Sequence, residues 1–288
     1  MMQSAIPTAK RRIGLSRLSD AGKYILLLIL VMIFIGPFYW LCSTALKTVA
    51  DLAAFPPQIW PAHPAWGNFL QALTIANFAA YAANSCILAT TYSILITLSS
   101  ALVGFGFARL KGRGKRPLFL IMLSTLMLPQ IITIIPTYVL FARLGLIDTY
   151  WPWVLWGLAS SPFLSFLFRQ FFSAIPSELE EAAILDGCGY GRIFWRIFLP
   201  LSVPVIVTSL IISFTGVWGD YITPQLFLSQ QNTTLAVAMS VGYTDPHGNP
   251  LTNVIAAGSI FYILPVLIIF FFAQRYFVNG IVTTGMKG

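Results

Sequence analysis

The residues of this sequence that could do chemistry are few, and most stand apart. The two histidines, His63 and His247, lie in separate polar stretches with no partner signature. The cysteines Cys42, Cys86 and Cys188 are equally scattered, so neither a metal site nor a disulfide framework follows, and all three read as small packing residues. Gly112-Arg113-Gly114-Lys115 lacks both the spacing and the Ser or Thr of a phosphate loop, so the chain is not expected to hydrolyse ATP alone. The acids are distributed differently. Of nine Asp and Glu residues, four (Glu178, Glu180, Glu181 and Asp186) crowd into one stretch between two very apolar runs. No conjunction of nucleophile, base or metal ligand accompanies them, so the stretch offers a surface rather than a catalytic centre.

Local signals around those acids predict helix, turn, helix. Ser177 followed three residues later by Glu180 reads as a capping box. Glu178, Glu180 and Glu181 fall in the first turn, where the helix dipole favours negative charge. Helical spacing puts Leu179, Ala182, Ala183 and Asp186 on one mostly small, apolar face. Gly187 is the expected C-cap, since glycine takes the left-handed conformation at no steric cost. Gly189 and Gly191 loosen the turn, and Arg192–Phe198 can form a second short helix before Pro200.

The pattern Glu181-Ala182-Ala183, Gly187, Ile197, Leu199-Pro200 resembles the cytoplasmic EAA loop of bacterial ABC-importer permeases, without a gap. The resemblance implies that this helix, with Asp186, docks into a cleft of an ATPase subunit and carries its motion into the membrane. The competing reading, an amphipathic helix lying on the membrane surface, fits poorly with three glutamates facing an anionic leaflet.

The elements that must position this loop are transmembrane helices. With 57% hydrophobic and 9% charged residues and a mean hydropathy of +0.80, the chain reads as an all-α polytopic membrane protein. Six spans are expected at about 24–46, 84–108, 117–140, 150–172, 201–223 and 254–274. Around them lie a basic tail at 1–23, a coupling loop at 173–200, an external loop at 224–252 and a C-terminal tail at 275–288. No removable signal peptide is expected, the first span serving as insertion signal. The segment 47–80, with Pro56, Pro57, Pro61 and Pro64, cannot cross lipid as a regular helix and reads as external.

The net charge of +8 could point to nucleic acid, but the cations flank apolar runs as membrane topology requires. With the N-terminus inside, all of the 17 Lys and Arg residues except Lys47 and Arg143 fall on the cytoplasmic side. That places both termini and the acidic loop in the cytoplasm of a bacterial inner-membrane protein. The basic turn Arg109–Arg116 reads as a topology signal, and Arg169 as a side chain snorkelling outward. Asp220 is the one acid near a span, whereas an ion-coupled secondary carrier usually keeps ionisable residues at mid-depth.

Further stretches resemble the carbohydrate-uptake branch, especially the six-span second permease of maltose-type transporters. They are Pro37-Phe38-Tyr39-Trp40 with Ser43–Lys47, Phe55-Pro56-Pro57 with Trp66–Phe69, Asn84-Ser85, Phe107–Leu110, and the tail Gly280–Gly288. Trp218-Gly219-Asp220-Tyr221 departs from the Trp-Asn-Asp or Trp-Asn-Glu of that branch. The resemblance implies import of a sugar or oligosaccharide, with a non-sugar solute such as glycerol phosphate or a polyamine as the alternative. It implies a second permease subunit, two nucleotide-binding subunits that hold the ATP and Mg, an extracytoplasmic solute-binding protein and surrounding lipid. No metal or cofactor is expected in this chain, and no nucleic acid partner. The tip of the 224–252 loop, with Tyr243, Thr244, Asp245, His247 and Asn249, is the expected contact to the binding protein. Tyr92, Ser93, Gln130, Thr133, Tyr138 and Trp218 are polar or aromatic span residues that read as helix packing before they read as sugar contacts.

Overall fold

A computed structural model describes residues 12–284 apart from 76, 242 and 246, with side chains described from 22 to 274. Of the expected tails at 1–23 and 275–288, residues 1–11 and 285–288 lie outside the described residues. The described chain is helical and contains no strand; three helices are long and apolar enough to cross a membrane alone, or up to five if each of two bent pairs is one span.

In chain order, α1 (Arg12–Ala45) starts ahead of the expected span, and its stretch Gly22–Ala45 stands largely uncovered by the rest of the chain. The segment expected to be external carries α2 (Val49–Ala53) and α3 (Gly67–Ile75). Then come α4 (Phe78–Arg109), α5 (Lys115–Ser124), α6 (Gln130–Arg143), α7 (Trp151–Leu158) and α8 (Pro162–Ala174). The acidic loop contains α9 (Ser177–Leu185), α10 (Tyr190–Ile193), a π-helical turn at Phe194–Phe198 and α11 (Leu199–Leu201). Finally α12 (Val203–Trp218), α13 (Ile222–Phe227), α14 (Leu235–Val241) and α15 (Thr252–Thr284) close the fold.

Helix α4 is the centre. At 32 residues it is about 48 Å long at 1.5 Å per residue. Its buried side is mostly small: Ser85, Ala89, Ser93, Thr97, Ser100, Ala101 and Gly104. Small residues let backbones approach where lipid offers no hydrophobic drive between helices. A Cβ on Gly104 would sit 2.6 Å from Phe168 Cβ, so α4 and α8 are in backbone-level contact there. Hydroxyls stitch the seams. Thr97 Oγ1 and Ser209 Oγ lie 2.9 Å apart between α4 and α12, and Ser99 Oγ donates to the Gly157 carbonyl at 2.6 Å.

Three expected spans are broken rather than continuous. Span 117–140 is α5 and α6, bent by 99° where Pro129 takes an extended ψ ahead of α6. Span 150–172 is α7 and α8, separated at Ser160, which sits at φ 63°, and restarted by Pro162 in the first turn of α8. Span 201–223 begins with an 81° bend between 190–201 and 203–218, and ends at Gly219, beyond which α13 starts a new direction. The expected loop at 224–252 contains α14, whose Leu235, Val237 and Ala238 are buried.

Just after α1, Lys47 is 3% exposed. Its ammonium donates to the Gln58 carbonyl at 2.5 Å and lies 4.6 Å from the centre of the Trp40 ring. Asn68 and Asn253 both donate to the Lys47 carbonyl, at 2.9 and 3.2 Å, tying α1, α3 and α15 together.

Candidate functional site

The acidic loop folds onto the end of α4 opposite its contacts with α14. At one end Ser85 accepts a 2.8 Å hydrogen bond from the Leu235 amide. At the other, Phe105 meets Phe194 and Phe198 with ring centres 5.3 and 5.1 Å apart, and Phe172 lies 5.6 Å from Phe198. The fully or nearly buried Ala183 enters this aromatic cluster, and the half-buried Ile197 and Leu199 pack on it. Residues distant in the motif are thus brought to one place by apolar burial. Glu181, Ala182, Asp186, Gly187 and Pro200 instead lie exposed.

Helix α9 therefore has two faces. Inward go Ala183 and Glu180; outward go Leu179, Ala182, Glu181 and Leu185, the last 89% exposed. Of the predicted face of Leu179, Ala182, Ala183 and Asp186, only Ala183 is buried, and the other three are exposed. The predicted capping box is corrected. Pro176 occupies the N-cap with ψ 138°, so Ser177 is already helical and makes no cap bond. Glu180 is then free to reach Arg109, whose Nη1 lies 3.6 Å from its Oε2. Gly187, at φ 78°, follows the C-cap Asp186. Its amide donates to Ile184 and the Cys188 amide to Ala183, both at 2.9 Å, which is a Schellman closure.

Arg109 is the residue that sequence reasoning missed. Its place in the sequence groups it with the basic turn, yet it is the last residue of α4 and is nearly enclosed. Its Nη2 donates to the Phe172 carbonyl at 2.6 Å and to the Ile175 carbonyl, and its guanidinium lies 4.9 Å from the Phe198 ring centre. A lone arginine in the last turn of an otherwise uncharged helix was the available signal. Arg169 does not extend outward; it lies over the Phe119 ring at 4.1 Å.

A second feature lies between α4, α6, α7, α8, α12 and α13: a cavity of about 730 Å³. The breaks at Gln130, at Ser160–Ser161 and at Asp220 all open on it. Non-helical backbone at membrane depth is tolerated where it lines a polar cavity, and convergent half-helices are how membrane transporters make such sites. Trp153 and Trp156 supply aromatic surface, and Gln130, Thr133 and Thr137 polar groups. Asp220 is the one acid of the lining, no Lys, Arg or His belongs to it, and its Oδ1 accepts from the Thr223 amide at 3.1 Å. Of the span residues singled out by type, Tyr92, Gln130 and Thr133 reach this cavity. Ser93 is buried in α4, Tyr138 packs edge-on to Phe227, and Trp218 stacks between Phe214 and Tyr262.

The tip of the 224–252 loop is a closed turn. Asp245 accepts from the amides of His247 and Asn249 at 2.9 and 2.8 Å and from Asn249 Nδ2 at 3.0 Å. Those bonds, the Asn249 side chain's first, hold its carboxyl below the usual range. Thr244, His247 and Asn249 are exposed and Asp245 partly so. Tyr243 is not at the surface: it is 2% exposed, donates to the Ala72 carbonyl at 2.8 Å, and burial pushes its hydroxyl up to about 12. It anchors the turn and is removed from the surface residues. Among the described residues no cluster of His, Cys, Asp and Glu could hold a metal.

Comparison with known proteins gives a consistent picture. A family profile described as "Binding-protein-dependent transport system inner membrane component" matches residues 100–283. The chain is 30% identical to the probable ABC transporter permease protein YurM of Bacillus subtilis, over 94% of this chain and 90% of that one. It is 31% identical to the melibiose/raffinose/stachyose import permease protein MelC of the same organism, over 88% and 91%. It is 34% identical to the B. subtilis arabinooligosaccharides transport system permease protein AraQ, over 71% and 72%. In fold it matches a chain of a bacterial ABC transporter that imports the acidic polysaccharide alginate, with TM-score 0.78 and 21% identity over 94% of this chain and 100% of that one.

Proposed function

The chain belongs to the family of inner-membrane components of binding-protein-dependent transport systems, and from that premise we propose that it is the permease subunit of an ATP-driven importer of a neutral sugar or oligosaccharide. The observation that carries this reading is helix α9, which turns Ala183 and Glu180 inward and offers Leu179, Glu181, Ala182 and Leu185 to an incoming chain. Its occupant is a nucleotide-binding subunit that holds ATP and Mg, and two such subunits work with this permease and a second one. Six membrane crossings follow if α5–α6, α7–α8 and α10–α12 each count as one, with both termini cytoplasmic. The turn at Thr244–Asn249 meets the extracytoplasmic solute-binding protein.

The solute class rests on two supports. Relatives are named for melibiose, raffinose and stachyose, for arabinooligosaccharides and for maltodextrin. The cavity, with tryptophan surface, hydroxyls and one carboxylate but no cation, suits a neutral polyol and leaves a phosphate ester without a counter-charge.

The test is ATP hydrolysis by the purified complex in lipid, with and without its binding protein, across melibiose, raffinose, arabinotriose, maltotriose and diacetylchitobiose. Stimulation by a loaded binding protein is expected. No associated ATPase, with uptake driven by an ion gradient instead, would overturn the reading.

A further inference from the structure

We infer that Arg109 is the positioning residue that carries displacement of α9 into the central helix α4, an inference that rests on the coupling role proposed for α9. The argument begins with what else joins α9 to the bundle. Ala183 presents only a methyl group to the aromatic cluster, a contact that can slide because it has no directional bond. The chain itself joins α9 to α8 through the elbow Ile175-Pro176, so a push on α9 reaches α8 directly. Nothing covalent near this elbow reaches α4.

Arg109 closes that gap. It is the last residue of α4, and one of its nitrogens donates to the carbonyls of both Phe172 and Ile175, on either side of the end of α8. Its plane rests on Phe198, in the π-helical turn that leads back into the membrane. A π-helical turn is itself a place where a helix can shift register. The other end nitrogen faces Glu180 at 3.6 Å, an ion pair just beyond hydrogen-bond reach, while Nε is buried without a partner. The guanidinium is thus fixed tightly to the elbow and loosely to α9, with donor capacity left over. Tight bonds move α4 with the elbow; the loose one tolerates rotation of α9. The planar fork of arginine serves several acceptors at once, which a lysine ammonium on its flexible stem does less well. Helix α4 in turn lines the cavity through Tyr92 and Ile96, so the joint connects the docking face to the solute path.

The experiment reads solute moved per ATP hydrolysed, in proteoliposomes, with the panel saccharide that stimulates the wild-type complex. Arg109→Gln is expected to co-purify with the ATPase and to lower that ratio about tenfold. Arg109→Lys should recover part of it, and Glu180→Gln, which leaves the carbonyl bonds intact, should lower it about threefold. A variant that merely loses stability loses hydrolysis and uptake together and leaves the ratio unchanged; that result in all three variants overturns the inference. If Arg109→Gln does not assemble, Glu180→Gln decides, and an unchanged ratio there is a negative result. A second readout needs no solute. Spin labels at Ser173→Cys and Lys111→Cys, with the native cysteines replaced by serine, report the distance between the elbow and the end of α4. ATP with vanadate should leave that distance unchanged in the wild type and change it in Arg109→Gln; equal behaviour in both overturns the joint. Absence of any ATPase in the wild-type complex would instead sink the proposed function.

Discussion

The amide of Cys188 reaches back to the carbonyl of Ala183 at 2.9 Å, and that bond exists only because Gly187 between them adopts φ 78°. A Cβ at Gly187 would meet no atom within 4 Å, so any penalty of substitution there is backbone strain and not a clash. Gly187→Val and Gly187→Asp should each loosen the closure by about 1–2 kcal/mol. Gly187→Asn should be milder, since Asn tolerates the left-handed region. Insertion should be normal in all three, while ATPase co-purification or uptake falls in the order Asn, Asp, Val. Normal uptake in the Val variant would remove the closure from the mechanism.

Glu181 lies on the outward face of α9 with no ion pair to its own chain among the described residues, in contrast to Glu180. Glu181→Lys should therefore leave the thermal stability of the isolated permease within about 0.5 kcal/mol of wild type. Leu185→Glu, at a position 89% exposed, should behave likewise. Both should weaken assembly with the ATPase, read by the amount co-purified in a salt series. Unchanged assembly would place the docking surface elsewhere.

Gly104 is a different kind of glycine. Its phi is ordinary, but a Cβ would lie 2.6 Å from Phe168 Cβ and 3.0 Å from the Arg169 amide nitrogen. Backbone and a Cβ cannot swing aside, so Gly104→Ala must push α4 and α8 apart. The expected loss is about 1–3 kcal/mol, read as a lowered unfolding midpoint in detergent. Gly106→Ala, where the nearest atom is 4.0 Å away, serves as the control and should be near neutral.

How much of this was legible beforehand differs by element. Gly187, the two apolar ends of the acidic loop and the existence of long spans follow from residue type and spacing alone. The span breaks were half legible. Pro129 was visible, but a proline inside an apolar run also fits a kinked continuous helix, and nothing in Ser160 announces a left-handed backbone. Glu180 carried an N-cap signal that Pro176 overrode, because the proline's extended ψ moved the helix start by one residue. Arg109 is hidden by company: four more cations, Lys111, Arg113, Lys115 and Arg116, follow it in the basic turn, and only tertiary packing shows that it bonds the Phe172 carbonyl of α8. Tyr243 looked like a surface residue because the loop around it is polar, whereas its ring fills the space beneath α3.

The turn at Thr244–Asn249 gives the last prediction. Asp245 bonds three donors from His247 and Asn249, so the tip is preformed and loses little freedom on meeting a partner. Asp245→Ala removes those acceptors without touching Tyr243, the buried anchor. The binding-protein concentration for half-maximal ATPase stimulation should then rise about fivefold, with the maximal rate unchanged. The pH dependence has a definite sign. Hydrogen bonds to the ionised carboxylate depress its folded value below the ordinary 3.8. The stabilisation of the turn is therefore complete above about 3.8 and fades as pH falls through the lower folded value. Amide-exchange protection factors at His247 and Asn249 should hold from neutral pH down to that range and then drop in the wild type, and should be low throughout in Asp245→Ala. Protection that survives in the Ala variant would mean that the Thr244–Pro250 bridge and the backbone bonds close the turn by themselves.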